Sequence, residues 1–534
     1  MKLVLSKEAR LLDQEAIEGW GYPSEMLVEA AGRACWEVLQ RQGFFTEHTG
    51  NEKIVVLVGS GNNGADALVV LKNLLFCGAL TPASCAVVFC KAPVYPPQSV
   101  RDRLLFVVNR CGCPLYHWEE EKEKITKLLQ EAPFIIDGLL GTGVHQPIRG
   151  AVQSLVDVVN EVRSQREAGK SPCIISIDIP SGLYDGWKAA DGAVRADYTL
   201  AIEPLKACLF SPEGRKMAGT ILPVTGIFPP PLLDSLTGGE LQTFAEALPS
   251  LKKLASLPTN YKHERGVVEI YGGAEGTTGA PLLSARGAQY GGSGLVRLVV
   301  DNHLLPLVAP GAGGIMVVSQ KGARERPLAT DVMVVGPGWG NGPERASLFS
   351  ELVRERPAGT GLVIDADALR WCENFSYGGK AVCTPHVGEM EQLLIRLNER
   401  SPLSFPQGKI VREMLLSQPL PLLQEVSRRL EAVILFKSHI LWVVAPDGRW
   451  SVIDGLVPVL AMGGTGDVLA GLVGAVMARI KRQTGGVDPY QAAVIAGLLL
   501  MEAGKTVQKE GFCDPTAVVA AVGKLAGSLW LSQG

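Results

Sequence analysis

The sequence predicts an α/β protein made of two doubly wound domains. Short apolar runs rich in β-branched residues alternate with helix-compatible stretches, which is typical of a parallel sheet covered by helices. In the first half the predicted strands are 54–58, 85–89, 134–136, 174–177 and 198–202, with helices at 67–76 and 152–166. In the second half the predicted strands are 267–271, 296–300, 332–335, 362–364, 433–436 and 441–444, with helices at 467–480 and 489–504.

The alternation breaks at three consecutive prolines, Pro229–Pro231, which a polar, glycine-containing segment follows. Proline-rich and polar segments of this kind are typical of linkers. We therefore expect a first domain at residues 1–228, a linker at 229–254 and a second domain at 255–534.

The composition excludes several classes of protein. The formal net charge of −3 and the lack of a polybasic run argue against nucleic-acid and membrane-surface partners. The apolar run Ala492–Met501 is shorter than the roughly 18 residues of a membrane helix. Lys7 and Glu8 interrupt the start, which predicts no secretory signal. The eleven scattered cysteines contain no CxxC pair, which predicts reduced thiols and a cytoplasmic protein.

A glycine-rich turn follows the first long predicted strand and reads GSGNNG over residues 59–64. The spacing is that of a dinucleotide-binding turn. The next strand, however, ends in Lys91, where such a site requires an acid for the ribose. An ordinary dehydrogenase turn and a turn without a ligand both remain open. Asn62, Asn63 and Asp66 lie where helix amides attract anions, which favours a ligand site of another kind.

Two more loops follow later strands of the first half. One begins at Asp137 and reads DGLLGTGVHQP, and the other begins at Asp178 and reads DIPSG. The carboxyl ends of parallel strands share the edge at which ligands bind, so Asn63, Asp137, Asp178 and Ser181 should meet there. Each acid alone is more simply a helix cap, but the convergence of three loops favours a site.

The motifs SGNNGADAL, IIDGLLGTG, IDIPSGL and ADYTLAIEPLK, with LVEAAGRA near residue 30, resemble those of the NAD(P)H-hydrate epimerase family over residues 5–228. The resemblance implies a Rossmann-like fold that interconverts the R and S epimers of hydrated NADH and NADPH. It implies Asp178, then Lys206, as the acid–base groups. It also implies a K⁺ ion bound by Asn63, Asp137 and Ser181, whose oxygens suit a hard cation.

The substrate-binding residues that this resemblance implies are Asn62, Asn63, Gly64, Ala65, Asp66, Gly141, Thr142, Gly143, Val144, His145, Gln146, Pro147 and Asp178. The family more often has glycine at the positions of Ala65 and Ala67. Alanine would be strained there if either position required a positive φ.

In the second half, Gly463-Gly464-Thr465-Gly466-Asp467 precedes a strongly apolar helix. The amides of such a turn can form an anion hole for a transferring phosphoryl group. Asp467 beside it could accept a proton from an attacking hydroxyl. The alternative is that Asp467 only stabilises the first helical turn. The pattern GxxxxGK[ST] does not occur, which excludes a P-loop site.

Five further motifs accompany this turn: Gly272-Gly273, TGAP at 278–281, GPGWG at 336–340, DADAL at 365–369 and TPHVGEM at 384–390. With GGTGDVLAG they resemble the NAD(P)H-hydrate dehydratase family, a member of the ribokinase-like superfamily, over residues 255–530. The resemblance implies that ADP, with Mg²⁺, phosphorylates the hydroxyl of the hydrated ring and that phosphate then leaves. The implied contacts are Ala280, Gly338, His386 and Asp467 for the substrate, and Lys437, Ser438, His439, Ile440, Leu441 and Gly466 for the nucleotide.

Three short segments depart from the pattern of that family. Lys437-Ser438 replaces Lys-Gly, Leu456-Val457-Pro458 replaces Gly-Asn-Pro, and Lys262-His263-Glu264 replaces His-Lys-Gly.

The two resemblances together predict a bifunctional repair enzyme that epimerises the hydrate and dehydrates its S form with ADP. Two alternatives stay open: a ribokinase-like kinase for a vitamin precursor or sugar, and a dinucleotide-binding module with a degenerate kinase-like half. We expect the partners to be small-molecule substrates, namely hydrated NADH or NADPH and ADP. We also expect the protein to form a homo-oligomer.

Overall fold

The computed structural model describes residues 1–45, 53–165, 172–254, 261–400, 409–511 and 513–530. The chain divides into two units, Met1–Gly239 with Leu416–Gln418, and Glu240–Leu415 with Pro419–Gly534. Each unit is a mostly parallel α/β structure, so the predicted fold class is confirmed. The predicted helix end at residue 166 and the predicted domain start at residue 255 lie outside the described residues.

The sheet of the first unit is parallel and has the strand order β4-β3-β2-β5-β6-β7-β9. The strands of this unit are β1 (Lys2–Val4), β2 (Ile54–Val58), β3 (Cys85–Phe89), β4 (Leu115–His117), β5 (Phe134–Gly138), β6 (Cys173–Ile177), β7 (Tyr198–Ile202), β8 (Leu205–Lys206) and β9 (Thr220–Val224). The order reverses at β2, which lies between β3 and β5. Ligands of doubly wound sheets bind at the carboxyl ends of the strands at such a reversal.

Helices cover both faces of this sheet. They are α1 (Ser6–Glu18), α2 (Ser24–Arg41), α3 (Asn62–Phe76), α4 (Val100–Arg110), α5 (Lys122–Glu131), α6 (Gly150–Ser164) and α7 (Pro230–Asp234). Ile54, Val56 and Val58 belong to the apolar cluster that contains α2 and α3 residues, whereas Val55 and Leu57 belong to the cluster of α5 and α6. Every side chain of β2 is therefore buried, which is why the strand reads as a continuous apolar run.

The segment expected to be a linker, 229–254, is ordered and contributes to both units. It contains α7, a strand β10 (Gly239–Leu241) and a helix α8 (Phe244–Lys253). Leu232 of α7 is 2% exposed within the core of the first unit. The prolines begin a helix here because proline fits the first helical turn, where no amide partner is lost.

The sheet of the second unit has the order β13-β12-β11-β14-β15-β16-β17-β18-β19-β10. Its strands after β10 are β11 (Val267–Tyr271), β12 (Leu295–Val300), β13 (Met316–Ser319), β14 (Val332–Val335), β15 (Gly361–Ile364), β16 (Ala381–Cys383), β17 (Val433–Lys437), β18 (Ile440–Val444) and β19 (Trp450–Asp454). The pairs from β13 to β17 are parallel, and β17, β18 and β19 form an antiparallel meander.

The helices of this unit after α8 are α9 (Gly279–Tyr290), α10 (Leu305–Val308), α11 (Gln320–Glu325), α12 (Pro343–Glu355), α13 (Val387–Arg400), α14 (Lys409–Ser417), α15 (Leu420–Leu430), α16 (Thr465–Thr484), α17 (Pro489–Gln508) and α18 (Pro515–Trp530). Helix α16 packs so closely on α9 that a side chain on Gly471 would come within 1.8 Å of the Ser284 carbonyl oxygen. This contact fixes the helix that follows the GGTGD turn. None of the described helices is long and apolar enough to span a membrane.

We expect α7 to be part of the folding unit of the first half. A fragment of residues 1–239 should be more stable than one of residues 1–228, because the shorter fragment loses the buried Leu232 and the packing of Leu233 and Leu236. Burial of one leucine is worth about 1.5–3 kcal/mol, so the free energies of unfolding should differ by at least about 1.5 kcal/mol. Urea denaturation of both fragments measures this difference.

The matched control is Leu232→Ala in the longer fragment, which should reproduce most of the loss. Equal stability of the two fragments would place α7 outside the core and support a boundary at residue 228.

Candidate active sites in the two units

The first candidate site is a cavity of 430 Å³ at the carboxyl edge of the first sheet. The loops after β2 and β5 line it, together with the residue after β6 and residues of α1 and α2. The sequence-predicted residues on its wall are Asn62, Asn63, Asp66, Gly141, Thr142, Gly143, Val144, Asp178 and Lys206. The three predicted loops therefore meet, as the topology requires.

Other predicted residues lie beside the cavity. Gly64 and Ala65 are buried in α3, and His145 is exposed, with its Nδ1 3.1 Å from the Gly143 carbonyl oxygen. Gln146 and Pro147 are absent from the cavity wall as the described residues form it. Ala65 and Ala67 have no positive φ, because both lie within α3, so alanine causes no strain at either position.

Glycine is required where two loops approach each other. A side chain on Gly59 would come within 1.7 Å of the Leu139 carbonyl oxygen, and one on Gly64 within 2.5 Å of the Gly59 carbonyl oxygen. The turn after β2 therefore presses against the loop after β5, and no larger residue fits between them.

Asp137, at the end of β5, is completely buried and joins two of these loops. Its carboxylate accepts hydrogen bonds from the Ser176 hydroxyl at 2.8 Å, the Ser181 hydroxyl at 2.6 Å and the Ser181 amide at 2.9 Å. Burial raises its pKa, although the hydrogen bonds from Ser181, Ser176 and Leu139 act in the opposite direction. These contacts hold the DIPSG loop against the end of β5.

Asn63 and Ser181 meet at the backbone of Leu140. The Asn63 side-chain amide donates to the Leu140 carbonyl oxygen at 2.8 Å, and the Ser181 hydroxyl lies 3.3 Å from the same oxygen. The side-chain oxygen of Asn63 is buried without a hydrogen-bond partner. An unpartnered buried oxygen beside other oxygen donors fits a hard cation. Among the described residues no group of three or more His, Cys, Asp or Glu could hold a metal ion.

Asp178 and Lys206 form a buried ion pair on the cavity wall, with 2.6 Å between Lys206 Nζ and Asp178 Oδ1. Lys206 also donates to the Ile202 carbonyl oxygen at 3.0 Å. Asp178 has a φ of +65° in the left-handed region. Residues other than glycine, asparagine and aspartate rarely adopt that backbone conformation. The left-handed backbone directs the carboxylate of Asp178.

Asp13 of α1 also lines this cavity, and the sequence reasoning missed it. Burial raises its pKa to about 6, with Lys206 opposing the rise and Asp178 adding to it. Burial, Asp178 and Asp13 likewise raise the pKa of Asp66 well above its usual range. Asp13 lies in an amphipathic helix without a glycine motif, and only its place on the inner side of α1 could have pointed to it.

In the second unit, Asp365 follows β15 and is the centre of a charged cluster. Its carboxylate accepts from the Thr384 hydroxyl at 2.6 Å and from Lys437 Nζ at 2.7 Å. Burial alone would lower the pKa of Lys437, but Asp365, Glu389 and Asp467 outweigh it and raise that pKa. Lys437 therefore stays protonated in a buried position.

The turn before α16 lies against Lys437. Gly464 is left-handed, with a φ of +99°, and is the N-cap of the helix. A side chain on Gly466 would come within 3.3 Å of Lys437 Nζ, so the ammonium group and the helix amides are close to each other. Burial and the charge of Asp365 raise the pKa of Asp467 to about 7, although Lys437 opposes this. A carboxylate of that pKa can accept a proton near neutral pH.

Two predicted substrate contacts, Ala280 and Gly338, are neighbours in the structure. A side chain on Gly338, whose φ is +56°, would come within 3.0 Å of Ala280 Cβ. The Asp367 carboxylate accepts a hydrogen bond from the Gly340 amide at 2.8 Å, which ties the GPGWG loop to the DADAL turn.

His386 lies beside Lys437 and directly precedes α13. A β-bridge pairs the two residues, and the His386 side chain is 60% exposed. Its Nδ1 accepts a hydrogen bond from the Gly388 amide at 3.0 Å, and its Nε2 lies 3.5 Å from Glu389 Oε1.

The structure accommodates the three departures from the family pattern. The Ser438 hydroxyl accepts from the Ile440 amide at 3.0 Å and donates to the Ile440 carbonyl at 2.6 Å, which closes the turn without glycine. Val457 is buried in the apolar core. Lys262–Arg265 form a short 3₁₀ turn before the amino end of β11, whereas the site lies at carboxyl ends.

The side chains of Ile440 and Leu441 are buried within β18. Contact of these two predicted residues with a nucleotide would therefore involve their backbone.

We expect Asp13 to make the stability of the first unit depend on pH. Its pKa is raised on folding, so between about pH 4 and pH 6 the folded chain holds a proton that the unfolded chain has lost. The free energy of unfolding should therefore fall as pH rises through this interval, by at most about 1.4 kcal/mol per pH unit for one proton. Asp13→Asn should remove this slope, and its melting temperature should rise relative to the wild type as pH increases.

Glu18→Gln changes an exposed carboxyl of the same helix and is the control. Parallel melting curves for Asp13→Asn and wild type at every pH would contradict a raised pKa at Asp13.

The two units match two family models. The model described as YjeF-related protein N-terminus matches residues 24–208, and the model described as NAD(P)H-hydrate dehydratase matches residues 268–521. Asp13 lies before the first of these ranges.

Relatives match along nearly the whole chain. The bifunctional NAD(P)H-hydrate repair enzyme of Salinibacter ruber is 32% identical, over 95% of this chain and 92% of its own length. That of Thermofilum pendens is 28% identical, over 89% of this chain and 87% of its own length. The structure of a ribokinase-like superfamily protein from Enterococcus faecalis is 23% identical, with a TM-score of 0.46, and covers 55% of this chain and 97% of that protein.

The resemblances inferred from the motifs are confirmed for both halves, in the same order along the chain. The relative from Salinibacter ruber is 32% identical over 95% of this chain, and a family model matches within each unit. The chain therefore belongs to the family of bifunctional NAD(P)H-hydrate repair enzymes.

Proposed function

We propose that this chain repairs hydrated NADH and NADPH in two steps. The first unit equilibrates the R and S epimers, and the second unit dehydrates the S epimer with ADP, which gives NAD(P)H, AMP and phosphate. The observation that carries the proposal is the end-to-end match to a bifunctional repair enzyme, with both sets of site motifs in one chain. Fusion is chemically sensible, because hydration yields both epimers and the second step consumes one.

In the first unit, the proposed substrate site is the cavity lined by Asn62, Asp66 and the Gly141–Val144 loop. Backbone amides at the N-terminus of a helix attract anions, so the first amides of α3 suit the phosphates of the dinucleotide. Asp178 is the proposed acid–base group, because its carboxylate lies on the cavity wall, where it is paired with Lys206.

We assign a K⁺ ion to the oxygens of Asn63, Asp137 and Ser181. The support is the unpartnered, buried side-chain oxygen of Asn63 beside the Asp137–Ser181 contacts. The ion would supply positive charge near the phosphate path, and these residues would hold the two loops around it.

In the second unit, the proposed roles follow from the charged cluster. The amides of the GGTGD turn and Lys437 surround the place where a transferring phosphoryl group would gain charge. Asp467 accepts the proton of the substrate hydroxyl. Mg²⁺ in proteins is commonly held by one or two carboxylates and by substrate phosphates, and we assign the partly buried Glu389 to it.

The direct test is to mix hydrated NADH with the protein and ADP and to follow the recovery of dihydronicotinamide absorbance. Recovery of both epimers supports the proposal, and recovery of neither contradicts it. Calorimetric titration with ADP addresses the alternative of a degenerate second half, which should not bind ADP. Turnover of a free vitamin precursor or sugar with ATP, without repair, would indicate the kinase alternative instead.

The remaining expectations stay proposals. All eleven cysteines are free thiols in the structure, which suits a reducing compartment such as the cytoplasm. The net charge of −3 suits small-molecule substrates better than nucleic acid. A homo-oligomer remains a prediction.

We expect Asp467→Asn to abolish dehydration and to leave epimerisation intact. The amides of the turn stabilise charge but cannot accept a proton, so the rate of dehydration should fall by at least about 10². The wild-type rate should also fall as pH drops below about 7, because only the ionised form of Asp467 can act as the base. Single-turnover dehydration of pure S epimer measures both effects.

Glu510→Gln, which changes an exposed carboxyl of the same unit, is the matched control. Normal turnover in Asp467→Asn, with at most about 1 kcal/mol lost in stability, would instead make Asp467 a helix-stabilising residue.

We expect Asp178→Asn to slow epimerisation by roughly 10²–10⁴ and to leave dehydration of pure S epimer unchanged. Asparagine tolerates the left-handed backbone of this position, so the change removes the carboxylate with little strain. Polarimetric or chromatographic measurement of epimer exchange tests this. A rate within about threefold of wild type would remove Asp178 from the mechanism.

A further inference from the structure

Three carboxyl groups share one ammonium group in the cavity of the first unit. Asp13 of α1, Asp66 of α3 and Asp178 after β6 all line it together with Lys206. Lys206 is already bound to Asp178 at 2.6 Å and to the Ile202 carbonyl at 3.0 Å. The same cavity is also lined by Arg10, which donates to the Thr142 carbonyl oxygen, and by Glu203, which accepts the amides of residues 226–228. Both cations of the cavity therefore have other partners, and Asp13 and Asp66 are the remaining acids.

The other two carboxyl groups have reason to keep their protons. Several like charges in a buried cavity disfavour ionisation. Burial raises the pKa of Asp13 to about 6 and that of Asp66 well above its usual range. Asp66 is only 7% exposed, and one of its oxygens has no hydrogen-bond partner. Below about pH 6 the cavity therefore holds a protonated Asp13 together with the Asp178–Lys206 ion pair, so a proton donor and a possible proton acceptor line the same cavity.

The chemistry of the proposed substrate requires an acid and a base. Water adds to the enamine of a dihydronicotinamide so that the hydroxyl is on the carbon beside the ring nitrogen. The configuration of that carbon changes if the hydroxyl leaves and water returns from the other face. The leaving oxygen needs a proton, and the incoming water must lose one.

We propose that Asp13 and Asp178 are the two proton carriers of this epimerisation, which proceeds by cleavage of the carbon–oxygen bond. The inference rests on the proposed function of the first unit. It assigns a role to a residue that lies before the range matched by the family model.

The step balances with water as the only co-reactant. Asp13 gives its proton to the hydroxyl oxygen, the carbon–oxygen bond breaks, and its electron pair leaves with water. The ring nitrogen lone pair forms a C=N⁺ bond. A second water attacks the other face with its own electron pair, the C=N⁺ π pair returns to the ring nitrogen, and the water gives a proton to Asp178. Asp13 ends ionised and Asp178 protonated, and the reverse reaction or proton exchange with solvent restores both.

Asp13 suits the acid role better than Asp66. A general acid works best when its pKa lies near the operating pH, and burial raises the pKa of Asp13 to about 6. Asp66 is only 7% exposed, whereas Asp13 is partly exposed on the cavity wall, so Asp13 is the more accessible of the two to a substrate. The charged groups that line the cavity with Asp13 are Lys206, Asp178 and Glu203 at the strand ends, Asp66 of α3, and Arg10 of its own helix.

The first experiment follows oxygen exchange in the full-length wild-type protein. Pure R epimer of hydrated NADH is incubated in H₂¹⁸O with and without protein, and the product is analysed by mass spectrometry. We expect one ¹⁸O atom in each molecule of S epimer formed. Enzymatic S epimer without ¹⁸O would overturn the inference. It would leave the proposed function intact, because epimerisation itself would have occurred.

The second experiment compares Asp13→Asn, Asp13→Glu and the surface control Glu18→Gln. We expect a loss of at least about 10² in epimerisation for Asp13→Asn, partial recovery for Asp13→Glu and normal rates for the control. The decline of kcat/KM at alkaline pH should persist in Asp13→Glu and disappear from the residual activity of Asp13→Asn. A rate for Asp13→Asn within threefold of wild type, or an unchanged pH profile, would overturn the role of Asp13.

Dehydration of S epimer with ADP by the same preparations is the internal reference. Normal dehydration in Asp13→Asn shows that the chain is folded, so that a loss of epimerisation is specific. Absence of epimerisation in the wild type would count against the proposed function itself, and the inference would fail with it.

Discussion

The buried carboxylate of Asp137 requires hydrogen-bond donors, and this requirement fixes the loops of the first unit. Asp137 has no contact with solvent, so its oxygens must receive hydrogen bonds from the protein. Both donors of Ser181, the amide and the hydroxyl, satisfy this need. The loop after β6 can therefore occupy only one position relative to the loop after β5. Asp178 begins the loop after β6. Its position on the cavity wall therefore depends on the Asp137–Ser181 hydrogen bonds, which lie outside the cavity lining.

The second unit uses the same device with a different donor. Asp365 also follows a buried parallel strand, and it receives hydrogen bonds from Thr384 and Lys437. Because one donor is an ammonium group, the contact carries a charge into the site as well as fixing a loop. The cost of removing ions from water is met only because each partner has a well-placed counterpart. The two sites thus differ in chemistry although their scaffolds solve the same problem.

The sequence predicted the parallel core well because local pattern determines it. Strands β2, β3, β7, β11 and β14 have the predicted bounds, since each is a short, mainly apolar run between turn residues. The meeting of Asn63 and Asp178 could also be predicted, because strand order follows from connection rules. The segment after Pro229, which the sequence predicts to be a linker, is ordered, and only the tertiary core shows why Leu232 is apolar.

Asp13 was missed for a related reason. A short amphipathic helix gives no local signal of which polar residue faces inward to a cavity. Its pKa depends on Lys206 and Asp178, which are distant in the chain and come close only in the fold. Sequence motifs therefore identified the loops of the site, and the structure was needed for the helix that covers them.

The left-handed backbone at Asp178 has a consequence for how this position can vary. Glycine and asparagine are compatible with a φ of +65°, whereas β-branched residues are strongly disfavoured there. In a library of random substitutions, selection for folding alone would already enrich a few small or amide side chains at this position. Enrichment of aspartate beyond that group would measure the demand of the chemistry. Mutational tolerance at Asp178 thus records two separate pressures, one from the chain conformation and one from the reaction.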